Sequence, residues 1–207
     1  MKVIWPLSIY RYLKLIEKSD LEKKVLDCGA GGSRPPLALF HGYGYEVYGI
    51  DISELAISAS EKFAREHGIS LNMTEGDMRD IPFDDESFSH VFSQNSICHL
   101  TKKDTMKAIR EMIRVLKPGG YLYVDFMSIE SSYNANKSLG TKIGVGEYQY
   151  IDDEGDAVIH SFHNDGEPDR YFAGMKVVLR VKTISEKLNE FDTITDVRLD
   201  YYATKPI

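Results

Sequence analysis

The sequence predicts an α/β fold, an open and mostly parallel sheet with helices on its faces. Two patterns carry that expectation. Short apolar runs alternate with helix-period segments from about residue 24 to residue 127, the signature of strand–helix–strand units. The first of those runs also ends in a glycine turn, "VLDCGAGGSRPP" at residues 25–36, and ligands of such sheets sit beyond the carboxyl ends of the strands. With 207 residues, the chain is long enough for one domain with a sizeable core.

Each element has its own local reason. "SIYRYLKLIEK" places Ile9, Tyr12, Leu13 and Ile16 at helical spacing, with Ser8 as the expected N-cap. "KVLDC" is a short apolar run bounded by charge and glycine, hence a buried strand. Pro35 and Pro36 suit the first turn of a short helix, "LALFHGYG". "EVYGID" reads as a second strand, and Ser53 caps the helix "ELAISASEKFAREHG". In that helix Leu55, Ala59 and Phe63 share a face, Glu61 and Arg65 pair at i,i+4, and Gly68 ends it. "SLNMTEGD" and "HVFSQN" read as the third and fourth strands, joined by the turn-rich "DIPFDDESFS". Met106, Ile109, Ile113 and Leu116 make the next helical stripe, closed by a Pro-Gly-Gly turn before the fifth strand, "YLYVDFM".

After residue 128 the rhythm changes. "SIESSYNANKSLGTKIGVG" reads as loop or short helix, and "EYQYIDDEGDAVIHSFH" as a hairpin. "GEPDRYFAG" is a short helix, and "MKVVLRVKTI" and "TDVRLDYYAT" are two last strands. The expected organisation is a single domain over 1–207, with a nucleotide-binding core at 21–127, an excursion at 128–172 and final strands at 173–207.

The chain is 43% hydrophobic and 28% charged with a net charge of −7. That balance disfavours a phosphate backbone or an anionic membrane as partner. Cys28 and Cys98 stand far apart and form neither a disulfide framework nor a zinc pattern, which fits a reducing compartment. The first residues lack an uninterrupted apolar run, and no later run is long enough to span a bilayer. A cytoplasmic protein without a bound metal is the expectation.

The glycine turn raises the question of which nucleotide it holds. A dinucleotide fingerprint needs G-x-G-x-x-G, whereas Gly29 and Gly31 are followed by Arg34 at the third position. Alone, such a G-x-G reads equally as a tight turn. Asp27 stands two residues before Gly29, where it would repel a pyrophosphate and suit an ammonium group; it can also cap its own loop through backbone N–H groups. Asp51 ends the second strand, 20 residues past Gly31, the place of an acid that accepts from ribose hydroxyls, or simply of one favoured by the following helix. Asp77, in "GDM", either accepts from an adenine amino group, with Met78 against the base, or is a loop aspartate with no ligand. The usual NAD fingerprint has no acid there.

Taken together, "VLDCGAGG", "VYGIDIS", "EGDMRDIPF", "FSHVFSQNSICHL" and "EMIRVLKPGGYLYV" resemble the class I S-adenosylmethionine-dependent methyltransferases. These segments cover about half the chain, from residue 24 to residue 127, in the family's order. One departure is Ser33, where the family often has a third alternating glycine. The resemblance implies a Rossmann-like, doubly wound sheet of seven strands with the last antiparallel, and S-adenosyl-L-methionine as cofactor. It implies that Asp27, Gly29 and Gly31 hold the methionine portion, Asp51 the ribose, and Asp77 with Met78 the adenine, with Ala30 and Ile52 also binding the cofactor. Ser93 and Gln94, ending the fourth strand, match a place that often lines the same pocket.

Methyl transfer from a sulfonium is an in-line displacement, so positioning and water exclusion supply much of the catalysis. No triad is required and none is present. If a base is used, His99 in "SQNSICHL" is the candidate, because an imidazole titrates near neutrality; it equally reads as a histidine packed beside Leu100. His160 and His163 fall on opposite faces of an extended strand and suggest no metal site. Arg34 either meets a carboxylate or points to solvent. Tyr10 and Arg11 either cover the cofactor or leave that face to solvent while Tyr12 and Leu13 pack inward.

The aromatics of the excursion, Tyr133, Tyr148, Tyr150, Phe162, Tyr171 and Phe172, either wall an acceptor pocket or form the hairpin's own core. The expected partner is a small-molecule methyl acceptor. Two other readings stay open: a protein or RNA methyltransferase acting with a partner, and a non-catalytic nucleotide-binding protein. The absence of an "N-P-P-Y" type stretch, replaced here by "SQNS", speaks against amino-directed nucleic-acid chemistry.

Overall fold

Apolar residues at helical spacing form the first helix, α1 (Leu7–Ile16), and bury Ile9, Tyr12, Leu13 and Ile16. The computed structural model describes residues 3–132, 140–152, 155–188 and 193–207. Pro6, and not Ser8, occupies the N-cap of α1, and no side chain caps it. Proline's fixed φ carries the chain into the helix from an extended ψ of 144°, so the helix starts one residue before the expected serine cap takes hold.

Strand and helix then alternate as β1 (Lys24–Cys28), α2 (Leu37–Gly42), β2 (Glu46–Asp51), α3 (Glu54–His67), β3 (Met73–Glu75) and β4 (Phe88–Ser93). A 3₁₀ turn (Ile97–His99) leads into α4 (Lys102–Val115) and β5 (Leu116–Ser128). Ser53 accepts the Ala56 N–H at 3.2 Å as the cap of α3. On that helix, however, Leu55 is 83% exposed, and the buried face is Ser60, Phe63 and Ala64. Ser60 turns inward because its hydroxyl donates to the Ala30 and Gly32 carbonyls, which rotates Leu55 outward. On α4 the buried residues are Thr105, Ala108, Ile109, Met112 and Val115. Met106 and Ile113 sit at the margin of the face, and Pro118-Gly119-Gly120 lies within β5 instead of closing a separate turn.

Strands β6 (Thr141–Gly144), β7 (Glu147–Ile151) and β8 (Ala157–His163) follow. They precede a 3₁₀ helix (Glu167–Phe172) and the long pair β9 (Lys176–Leu188) and β10 (Thr193–Thr204). The segment 141–144, expected as loop or short helix, is a strand because β7 supplies an antiparallel partner. The main sheet runs β3-β2-β1-β4-β5-β10-β9. Its first five strands are parallel, and β10 is antiparallel between β5 and β9. The Rossmann-like sheet with an antiparallel last strand is thus observed. Beyond it, β8 continues from the end of β5 through the Met127–Phe162 pairing and brings β7 and β6 with it.

The sheet has an apolar layer on each side. One combines α4 and the second 3₁₀ helix with Leu26, Val91, Val124 and Phe126. The other combines α1, α2 and α3 with Val25, Phe92, Tyr123 and Tyr202. Tyr12 is fully buried, and its hydroxyl lies 2.8 Å from the Val91 carbonyl and 2.7 Å from that of Tyr121. One proton is shared between two strands, which ties α1 to the β4–β5 seam.

Candidate active site

At the carboxyl end of β1 the chain turns through Gly29, whose φ is +91°. The Gly29 and Ala30 N–H groups donate to the Ile50 carbonyl at 2.9 and 3.0 Å, so the turn is pinned to β2. A Cβ on Gly29 would lie 2.4 Å from Ser96, and one on Gly31 would lie 2.6 Å from Asp51 Oδ2. Both positions therefore require the bare backbone, for conformation at Gly29 and for space at both.

Two pockets flank this turn. One, of about 220 Å³, is lined by Gly29, Asp51, Asp77, Met78, Ser96 and His99, with Ile52, Arg79 and Leu100 on its walls. The other, of about 480 Å³, lies on the side of Gly31, Arg34, Gln94 and Asn95, beneath Trp5 and Pro6. Gly29 and Ser96 belong to both. An elongated ligand crossing the turn would fill the two together.

Of the residues singled out in the sequence, Gly29, Asp51, Ile52, Asp77, Met78 and His99 meet around the smaller pocket, and Gly31 and Gln94 line the larger. Asp27, Ala30 and Ser93 are buried and line neither pocket. The Ala30 side chain turns into the core beside Leu37 and Phe40, so only its backbone belongs to the turn. Arg34 reaches the larger pocket. Tyr12 and Leu13 pack inward, while Arg11 reaches the buried Asp200 at 3.7 Å.

The acids are held in different ways. Asp27 is 1% exposed, and its Oδ1 has no hydrogen-bond partner. Burial, with Asp51 and Asp125 nearby, raises its pKa well above the ordinary carboxylate range. The loop-capping role that the sequence allowed for Asp27 falls instead to Asp51. Its Oδ2 accepts the Gly31 N–H at 2.8 Å and its Oδ1 the Ser53 N–H at 3.0 Å. Asp77 is gripped at two points by Arg79, with contacts of 2.6 to 3.0 Å, and that contact lowers its pKa.

His99 lies where the smaller pocket meets the hairpin. Its Nδ1 is 3.3 Å from the Ile159 carbonyl on β8, which places the ring proton on Nδ1 and leaves Nε2 as the acceptor. The protein packed around the ring lowers its pKa, the Ile159 contact opposes this, and Arg198 adds a smaller depression. His160 stands beside it, with ring centroids 5.2 Å apart. His163 faces the other way and meets the Tyr171 hydroxyl at 3.0 Å, as the odd spacing implied. No group of three or more His, Cys, Asp or Glu among the described residues is arranged to hold a metal.

Residues that sequence reasoning missed complete the site. Ser96 donates to the Gly29 carbonyl at 3.1 Å. Asp125, 4% exposed, accepts the Asn95 N–H at 2.6 Å and faces Arg198 at 3.5 Å. Burial lifts its pKa to about 6. Its signal was available: an acid near the carboxyl end of an otherwise apolar strand, "YLYVDFM". Of the excursion's aromatics, Tyr148 and Phe162 pack with Cys98 and Met127, and Tyr171 and Phe172 join the main core. Tyr150 is partly buried against the first of these groups, and Tyr133 lies outside the described residues.

Residues 26–124 match the family model described as a methyltransferase domain. A glycine/sarcosine/dimethylglycine N-methyltransferase of Actinopolyspora halophila is 32% identical over 114 residues, 54% of this chain and 20% of that protein. A sterol methyltransferase-like protein of Botryococcus braunii is 34% identical over 103 residues, 49% of this chain and 26% of that one. The chain thus spans well under half the length of these curated relatives. A crystal structure of an S-adenosylmethionine-dependent methyltransferase from Methanosarcina mazei superposes with a TM-score of 0.75 at 23% identity, covering 99% of both chains; it shows the shared fold.

Proposed function

We propose that this chain, whose residues 26–124 match the family model of a methyltransferase domain, is a class I S-adenosylmethionine-dependent methyltransferase that transfers a methyl group to a small-molecule acceptor by in-line displacement. The observation that carries this reading is the buried Asp27 side chain beneath the glycine turn, whose Oδ1 has no hydrogen-bond partner. An ionised carboxylate without a partner is costly to bury, and a cationic ligand end would offset that. Asp51 and Asp125 deepen the negative potential at the same point. This field opposes a dinucleotide pyrophosphate and favours an ammonium or sulfonium.

When bound, S-adenosylmethionine supplies a methyl group made electrophilic by its sulfonium. Gly29 and Gly31 leave room for the ligand to lie against the backbone. Asp51 orients the turn through the Gly31 N–H and offers its remaining lone pairs to ribose hydroxyls. Asp77 and Met78 face the base end, and Gln94 and Arg34 the amino-acid end. His99 takes a proton from the acceptor at Nε2, its Nδ1 proton being held toward Ile159. The β6–β8 segment, seated at the end of β5 beside His99, covers the acceptor end and excludes water. Small acceptors such as those named for the curated relatives support the acceptor class.

Isothermal titration with S-adenosylmethionine and with NAD tests the first half: binding of the former alone is expected, and preference for NAD overturns the reading. The second half is tested by incubating the protein with methyl-labelled S-adenosylmethionine and a cell extract, then separating by size. Label in the low-mass fraction is expected. Label confined to protein or RNA would assign the acceptor to a macromolecule.

A further inference from the structure

A second concave surface lies outside the methyl-transfer site. It is a groove of about 510 Å³ between α4 and the 3₁₀ helix Glu167–Phe172. Met106 and Tyr171 give it an apolar floor. Its rim carries Lys102, Lys103, Lys107, Arg110 and Arg170, on a chain whose net charge is −7.

The arrangement works against the helix that bears it. Lys102 and Lys103 open α4, where the macrodipole favours acids. Lys103 and Lys107 are four apart and Lys107 and Arg110 three apart, like charges that lower helix stability by about 0.2–0.5 kcal/mol per pair. Glu167 answers Lys102 at 2.7 Å and Arg170 at 3.3 Å. Asp104, the acid of the first turn, is directed to Thr101 and Arg79. Lys103, Lys107 and Arg110 are exposed, and none of the ion pairs among the described residues includes them. The field of Lys107 reaches Asp77, but no carboxylate closes on it. A local rule broken without compensation inside the fold points to a partner outside it.

We propose that this groove docks an acidic polypeptide segment carrying an apolar side chain, supplied by a partner protein. The cations at helix positions 103, 107 and 110 span about 10 Å along the axis. That length suits carboxylates spaced along a peptide, not one compact anion. The apolar floor favours a peptide over a nucleic-acid backbone, and the acidic remainder of the protein repels an extended polyanion. The occupant places an aliphatic or aromatic side chain on Met106, with the core-buried Tyr171 behind it, and its carboxylates against Lys103, Lys107 and Arg110.

The test is fluorescence anisotropy of the full chain with a short fluorescein-labelled peptide of alternating glutamate and leucine. A glutamine–leucine peptide and a uridine oligonucleotide of equal charge run as parallel arms. Salt-sensitive binding of the acidic peptide is expected, weakened at least about tenfold by Lys103→Glu/Lys107→Glu/Arg110→Glu. A milder Lys103→Gln/Lys107→Gln/Arg110→Gln variant, checked by circular dichroism, should weaken it in the same direction. Equal affinity in a folded variant, equal binding of the glutamine peptide, or no binding overturns the proposal. Tighter binding of the oligonucleotide assigns the groove to nucleic acid and overturns it too. A dimer in gel filtration that the triple variants split assigns it to a second copy of the chain, with the same consequence.

Discussion

Ser96 stands over Gly29. Its Oγ donates to the Gly29 carbonyl at 3.1 Å, and a Cβ added at Gly29 would meet the Ser96 Cβ at 2.4 Å. The contact forms the wall shared by the two pockets. Gly29→Ala should therefore lower stability by about 1–2 kcal/mol through its positive φ alone and weaken S-adenosylmethionine further by displacing Ser96. Adding Ser96→Gly should recover the steric part and leave the conformational part. Thermal melts and isothermal titration on the two variants separate them; full affinity in Gly29→Ala would remove the turn from the site.

Asp27→Asn should separate stability from binding. A raised carboxyl pKa means that the folded protein holds this proton more tightly than the unfolded chain. Stability from this group is therefore present at low pH and lost as pH rises through the folded pKa. The amide removes that loss, so the variant should be more stable than the parent at alkaline pH, by about 1–3 kcal/mol. S-adenosylmethionine affinity should fall. Urea titrations across pH, paired with calorimetry, check both signs.

His99→Gln should leave cofactor affinity within about twofold and reduce methyl transfer by roughly 10²-fold or more. Because the His99 pKa lies below its ordinary value, the parent's acid limb should fall below that of a free imidazole, and the variant should lack it. A rate profile across pH with an identified acceptor decides this. An unchanged limb in the variant returns His99 to a packing role.

Asp125, with a pKa of about 6 against an ordinary 3.8, binds its proton more tightly in the folded state. Its contribution should therefore fall by up to roughly 3 kcal/mol as pH rises from about 4 to about 6. Asp125→Asn should flatten that part of the stability curve, measured by chemical denaturation at successive pH values.

Asp51→Ala should weaken S-adenosylmethionine by roughly 1.5–3 kcal/mol. It also frees the Gly31 and Ser53 N–H groups, so a modest loss of stability should accompany it. Calorimetry showing unchanged affinity would place the ribose elsewhere.

The sequence alone determined the alternation of strands and helices, because strand and helix periods are local properties. It also determined the glycine turn and the acids ending β1 and β2, because a strand's end is marked by the residues that stop it. Its errors share one cause. Spacing puts Leu55 on one face with Ala59 and Phe63, but the Ser60 hydroxyl meets the Ala30 and Gly32 carbonyls of the glycine turn and sets the rotation of α3. The 141–144 strand exists only because β7 pairs with it. Tertiary structure likewise decided that Ser96 meets Gly29, that His99 meets Ile159, and that Asp51, not Asp27, holds the turn. Each joins residues far apart in the chain or chooses between nearby acids by direction. A hydrogen bond depends on distance and angle, and those are properties of the folded chain.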